Sequence, residues 1–541
     1  MPPLALGIDS STQSVTAVAA DIESRARVCE ISVDYRAEPS LAAYGITEQY
    51  VLPPGEPGEA KQPAALYFAS LDLLFEKLAG ELRRLGFSPG DIAAVNVSGQ
   101  QHGHVLLAPE AKRAFDGLQE GKNPESGLAV LLAGSLALPF ARIWRTPNTG
   151  REAELVRRKV GGKEAIIRLT GSDAPLRFSA FGIRRTALEH PVEYRNTAVI
   201  HQISTLIPAV LTGRLDLPLD WGNACGSSLM DYRARQWSDS LLAAVAGDLP
   251  GGAAGLEAKL PPLASALTPA GRIAGYFVRR WGLDPGCRVG IGSGDNPQTK
   301  CLVNGSLLSL GTSFVIMVET DGETFDLAGY ANAMYDSIDR PFTFGCRTNG
   351  ALRWDGVRSL HGQAKKDYAA AEAALAATPC GNRGRLFVWQ AEAESFPVSP
   401  AFEPKRVGYD RADFAADYAG IVESTLASVY LNSRHFMAPA DTLFVTGGPT
   451  ASRQVLRRVA AVFKRKVIPL EAGGAALGSA ASAACLWLRG RGETVDPGEF
   501  CASFLQRKAP VEPAREDVRA FYGENGCLAA YASLESAFIG S

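Results

Sequence analysis

The sequence has no CxxC pair, and its nine cysteines, at 29, 225, 287, 301, 346, 380, 485, 501 and 527, are odd in number and lack metal-ligand spacing. That excludes a disulfide scaffold and a thiolate metal site, and the thiols are expected reduced, in a cytoplasmic setting. Neither sign of charge is in excess. The 55 Lys and Arg stand against 57 Asp and Glu, a net charge of −2 at pH 7, so no field exists to hold a nucleic acid or an anionic membrane. Long hydrophobic runs are missing too: the best candidate, 127–143, contains Ser135 and Pro139 and falls short of the roughly 20 residues of a membrane span. No basic stretch precedes an apolar one at the N-terminus, where Asp9 interrupts the only candidate, so a secretory signal is not expected. Short-period repeats and low-complexity tracts are absent, which excludes solenoids. Both standard phosphate loops are also missing. No GxxxxGK[ST] occurs, and the glycine-rich run at 290–295 carries Asp295 where a dinucleotide fingerprint needs a third Gly or Ala.

What is present is an ordinary globular composition, 46% hydrophobic and 21% charged, over 541 residues. That length exceeds one core and predicts two domains of roughly 250–300 residues, placed at 1–286 and 287–541, with a cleft available between them. The first residues read as three antiparallel strands separated by polar turns. Leu66, Leu73, Leu74, Leu78, Leu82 and Leu85 recur at helical spacing before Gly86, and an apolar strand follows at 91–98. The segment 109–126 reads as an inserted surface region. Strands mixed with helices predict an α/β architecture. The second half repeats the opening theme, with a strand at 306–310, a hydroxyl-bearing turn at 311–313 and a β-branched return strand, so a duplicated fold is expected.

Chemistry concentrates in a few of these turns. Ser10, Ser11 and Thr12 crowd hydroxyls and backbone amides onto one hairpin, and Gly311, Thr312 and Ser313 do so on another. Such turns are common for local reasons, but two of them could grip a triphosphate. Asp295 follows a strand and a run of glycines that permit close backbone approach, which makes it a candidate general base; an N-cap ahead of Pro297 is the plainer alternative. The stretch 98–104 packs Gln100, Gln101, His102 and His104 between glycines, a dense donor set suited to sugar hydroxyls, or else an ordinary surface turn. At 443–452 a buried strand opens into Gly447 and Gly448 before a helix, where an adenosine could lie against bare backbone or where strand simply turns into helix.

Taken in order, the segments 7–21, 98–103, 169–178, 292–296, 309–313, 381–386 and 446–456 resemble the FGGY family of carbohydrate kinases, most closely its longer xylulokinase-type members. The resemblance implies a duplicated actin-like ATPase fold, also described as ribonuclease H-like, with two mixed sheets flanked by helices and the active site in the interdomain cleft. It implies ATP and Mg²⁺ and a ketose substrate, D-xylulose first, with other polyols or ketoses such as ribulose or glycerol as alternatives. An actin-like ATPase or a non-catalytic sugar sensor are readings of another class. By position, Asp295 matches the catalytic base, and Gln101, His102, Arg177 and Asn296 match or adjoin the sugar-contacting set. Ser11, Thr12, Gly311 and Thr312 match the phosphate turns, Gly447, Gly448, Pro449 and Ser452 the adenosine motif, and Asp9 an acidic position near the metal. A monomer or homodimer is expected. The chain departs from the family pattern at Thr146 and at Ala461, where acidic residues are usual.

Overall fold

The computed structural model describes residues 1–364, 368–439, 442–471 and 473–538. Its contacts group the chain into two compact units, one of Met1–Asn304, Ala333–Pro341 and Gly473–Phe504, the other of Gly305–Asn332, Phe342–Ala472 and Leu505–Ser541.

The first unit opens as the hairpin pattern predicts, with β1 (Leu4–Ser10), β2 (Ser14–Asp21) and β3 (Arg27–Asp34) antiparallel. Helix α1 (Ala64–Arg84) follows, burying Leu66, Leu71, Leu74, Phe75, Leu78 and Leu82, and ends before Gly86, whose φ of 85° continues no helix. Leu85, expected on the apolar face, is instead exposed just past the last turn. The next strand, β4 (Ile92–Gly99), runs parallel to β1. The supposed surface insertion proves to be helix α2 (Ala111–Glu120), which sends Ala111, Phe115 and Leu118 into the core. Its three apolar residues, at spacings of four and three, form too narrow a stripe to stand out among its charges. Strand β5 (Arg288–Gly290) extends the parallel set beside β4, giving the order β3–β2–β1–β4–β5. Helix α3 (Asp295–Cys301) leaves the end of this sheet.

The second unit repeats the plan. Here β6 (Ser306–Leu310), β7 (Phe314–Glu319) and β8 (Pro341–Arg347) are antiparallel. After the buried helix α4 (Phe414–Ser433), β9 (Thr442–Thr446) lies parallel to β6. Helix α5 (Arg453–Phe463) leads to β10 (Lys466–Pro469), parallel to β9. The order β8–β7–β6–β9–β10 matches that of five strands of the first sheet, so the fold is a duplicated mixed α/β architecture. Strand β1 opens on the near-continuous apolar run Leu4–Ile8 because side chains on both of its faces are buried.

The chain then returns to the first unit as α6 (Gly474–Gly490), rich in Ala and Ser, which packs on β1, β4 and α3. Small residues let it come close. A Cβ on Gly478 would stand 1.8 Å from the Gln298 carbonyl oxygen, and one on Gly7 1.9 Å from that of Ala476. Asn96 Nδ2 donates to Ser482 Oγ at 2.8 Å across 386 residues of sequence. A single division near residue 286 does not describe this arrangement, because α3 packs against β4 and α6 and so joins the first unit. Among the described residues no helix is long and apolar enough to cross a membrane. The run 127–143 folds as short elements whose Leu128, Leu132 and Leu138 are buried.

Candidate active site

The carboxyl ends of parallel strands gather the polar residues, as is usual for ligand sites in open α/β sheets. Asp9 near the end of β1 is in register with Ser98 on β4, and Ser293 pairs with that same Ser98. Ser98 Oγ donates to Asp9 Oδ1 at 2.6 Å. Burial pushes the Asp9 carboxyl up to about 6, the Ser98 bond partly offsetting it. Beyond β4 come Gln100, Gln101 and His102; beyond Ser293 come Gly294 and Asp295.

Asp295 is the first residue of α3, and Gly294 holds the cap position without any side-chain bond. The N-cap reading is therefore not the one adopted. The carboxylate instead bonds its neighbour: Asn296 donates to Oδ1 from its backbone N at 2.9 Å and from Nδ2 at 3.2 Å. Burial pushes the Asp295 carboxyl up to about 7, and the charge of Asp9 adds to this, while the backbone amides of Asn296, Asp295 and Gln101 pull the other way. A carboxylate that takes a proton near neutrality is suited to base catalysis.

Asn296 Nδ2 also donates to Gln101 Oε1 at 2.9 Å, joining two of the expected sugar residues to Asp295. His102, the residue after Gln101, has a left-handed conformation, φ 70°, uncommon for a residue with a side chain. Its ring stacks on Phe178 at 4.6 Å, and Nδ1 lies 2.8 Å from the Gly226 carbonyl oxygen. Burial, with the Arg177 charge, drives the imidazole down to about 3. It is neutral at pH 7, with Nδ1–H donating to the carbonyl and Nε2 left as an acceptor. Only glycine fits at 226, since a Cβ there would stand 2.5 Å from His102 Cε1. The Arg177 guanidinium lies 5.7 Å from the Phe178 ring. Gly226 and Phe178 were not singled out from sequence, because a carbonyl and an apolar ring carry no chemical signature of their own.

At the first hydroxyl turn, Ser11 Oγ donates to the Ser14 carbonyl at 2.9 Å. Thr12 Oγ1 accepts from Trp144 Nε1 at 2.9 Å and donates to Gln100 Oε1 at 3.3 Å. Thr146, at a departure from the family pattern, donates to the Ala60 carbonyl at 2.8 Å, a loop-closing role that needs no charge.

In the second unit, Gly311 and Thr312 form the β6–β7 turn, with Gly311 N donating to the Ser313 carbonyl at 3.2 Å. Gly447, φ 105°, ends β9 so close to β6 that a Cβ would meet the Leu310 carbonyl oxygen at 2.1 Å; Gly448 faces open space. Pro449 is the second residue of a 3₁₀ turn, Gly448–Ala451. Ser452 caps α5 by accepting from Val455 N at 3.0 Å and donates to Glu372, so its hydroxyl serves the helix end. Ala461 is buried in the core behind this turn.

Among the described residues no group of three or more His, Cys, Asp or Glu is arranged to hold a metal. The fit is to a cation bound through one carboxylate, water and substrate phosphates, which is how Mg²⁺ sits in nucleotide sites. Asp9, whose charged form burial disfavours, has the character such a cation would stabilise.

Residues 127–301 match the N-terminal domain of the FGGY family of carbohydrate kinases. Xylulose kinase 2 of Arabidopsis thaliana is 26% identical over 556 residues, covering 97% of this chain and 96% of the relative. Among solved structures, the ligand-bound xylulose kinase of Lactobacillus acidophilus superposes with a TM-score of 0.79 at 18% identity, over 100% of this chain and 99% of that one. The gluconate kinase of the same organism superposes with 0.80 at 18% identity over the same shares. The fold is thus shared equally by kinases of different sugars.

Proposed function

Because the chain belongs to the FGGY family of carbohydrate kinases, which phosphorylate sugars with ATP, we propose that its substrate is D-xylulose and its product D-xylulose 5-phosphate. Asp295 serves as the general base. The observation that carries this reading is the half-buried Asp295 carboxylate poised near neutral pH and bonded through Asn296 to Gln101, the residue before the neutral imidazole of His102.

The C5 hydroxyl of the ketose attacks the γ-phosphorus of ATP in line. Its proton passes to Asp295, the O–P bond forms as the bond to ADP breaks, and ADP leaves. Asn296 holds Oδ1 by two hydrogen bonds and so fixes the direction in which the carboxylate presents its remaining lone pairs. His102 Nε2 accepts from a second sugar hydroxyl, and Arg177 supplies a cation beside it. Thr12, Gly311, Thr312, Gly447 and Gly448 are assigned to the nucleotide through hydroxyl and bare backbone donors. Mg²⁺ held by Asp9 would neutralise charge on the phosphates.

A kinase for another polyol or a sugar acid is the second reading, favoured by the equal likeness to the gluconate kinase fold. Coupled ADP release over D-xylulose, D-ribulose, glycerol and gluconate separates the two. The highest kcat/KM is expected with D-xylulose; a higher value with any other acceptor overturns the substrate, and no acceptor-dependent ADP release overturns the reading entirely.

A further inference from the structure

Two buried polar atoms beside Gly294 have no hydrogen-bond partner: Gln101 Nε2 and Asn223 Oδ1. Both residues are more than nine-tenths buried, with 5% of Gln101 and 1% of Asn223 exposed. An unpaired buried amide atom is costly, so two of them flanking one backbone position call for an explanation. A Cβ built on Gly294 would stand 2.8 Å from Asn223 Oδ1 and 2.5 Å from Gln101 Cγ. The two amides therefore converge on the residue that precedes the catalytic carboxylate.

Which atom of each amide is left over follows from two carboxylates, which can only accept. Asp220 Oδ1 accepts from Asn223 Nδ2 at 2.9 Å, and Asp220 is itself held by Ser293 Oγ at 2.6 Å. Asn223 Nδ2 bonds Ser204 Oγ as well, at 2.6 Å. The nitrogen is thus committed and the oxygen is the orphan. On the other side Asp295 fixes Asn296 Nδ2 as a donor, and that donor claims Gln101 Oε1. The Gln101 nitrogen is the orphan there. One acceptor and one donor remain, on two side chains that both flank Gly294.

We propose that Asn223 Oδ1 and Gln101 Nε2 together read one hydroxyl of the sugar, and that Asn223 is the residue that discriminates a hydroxyl from hydrogen at that carbon. A carbonyl oxygen would satisfy Gln101 alone, whereas a hydroxyl donates to Asn223 and accepts from Gln101. The hydroxyl is one other than that on C5, which Asp295 deprotonates. This inference rests on the sugar-kinase reading.

The test compares kcat/KM for D-xylulose with that for 1-deoxy-, 3-deoxy- and 4-deoxy-D-xylulose in the wild type, in Asn223→Ala and in Gln101→Met. In the wild type one deoxy position loses about ten- to a hundredfold, the effect of leaving two buried groups unpaired. In Asn223→Ala the loss at that same position shrinks to a fewfold, losses at the other positions stay as they were, and the KM for ATP does not move. A wild type that turns over D-xylulose with no deoxy position standing out overturns the inference by itself, whether or not the variants fold. So does an Asn223→Ala enzyme that folds and keeps the wild-type profile. A wild type that phosphorylates no ketose fails the kinase reading, which is a different outcome from a flat profile.

Discussion

Replacing Asp295 by Asn should lower turnover and raise stability together, and the two effects have one cause. Burial and the Asp9 charge raise the carboxyl from 3.8 to about 7. The folded protein therefore binds a proton that the unfolded chain releases between about pH 4 and pH 7. With the folded value raised, stability from this group declines as pH climbs through that window and is lowest above it; below about pH 4 both states are protonated and nothing is lost. The full interval corresponds to about 4 kcal/mol, and the solvent contact that Asp295 retains lowers it to about 1–3 kcal/mol. The Asn variant has no such charge to bury. Without ligands it should be more stable than the wild type at pH 8, by about 1–3 kcal/mol in urea titration, with the advantage shrinking toward zero near pH 4. Turnover with ketose and ATP at pH 8 should fall by about 10²- to 10⁴-fold, the contribution of a positioned base. Near-normal turnover would remove Asp295 from the role. A variant less stable than wild type at pH 8 would refute the electrostatic argument, because it would mean that the site holds the carboxylate more comfortably than its amide.

Two further outcomes follow from the geometry. His102→Ala should raise the KM for ketose far more than the KM for ATP, because His102 follows Gln101, which Asn296 joins to Asp295; equal effects in steady-state kinetics would make it a structural residue. Gly478→Ala should destabilise the protein by roughly 1–3 kcal/mol or more, since the new methyl meets the Gln298 carbonyl at 1.8 Å; an unchanged urea midpoint would show that α6 can shift without loss.

Much of the fold was legible because its signals are local. The hairpins that open both sheets and the periodicity of α1 stand where strand alternation and helical spacing put them. No distance readable in the chain puts Asp295 near Gln101, to which Asn296 joins it. What escaped is non-local. Helix α6 reads only as a small-residue stretch, and its place against β1 depends on contacts hundreds of residues apart, such as Asn96 to Ser482. Helix α2 was lost among its charges. Asn223 and Asp220 lie in a segment with no recognisable motif, and their importance is visible only once Ser293 and Gly294 are beside them. That the Ser452 hydroxyl caps a helix needs the coordinates of Val455 and Glu372.

The homecoming of α6 bears on how the protein is made. On a ribosome the strands of the first sheet emerge early, but the helix that shields β1 and β4 is synthesised some 370 residues after β4 ends. Until then the nascent chain carries an uncovered apolar sheet face, and a fragment stopped at Asn304 would carry it permanently, a surface prone to aggregate. Neither half of the gene should therefore yield a well-behaved protein when expressed alone, however plainly the sequence repeats its plan.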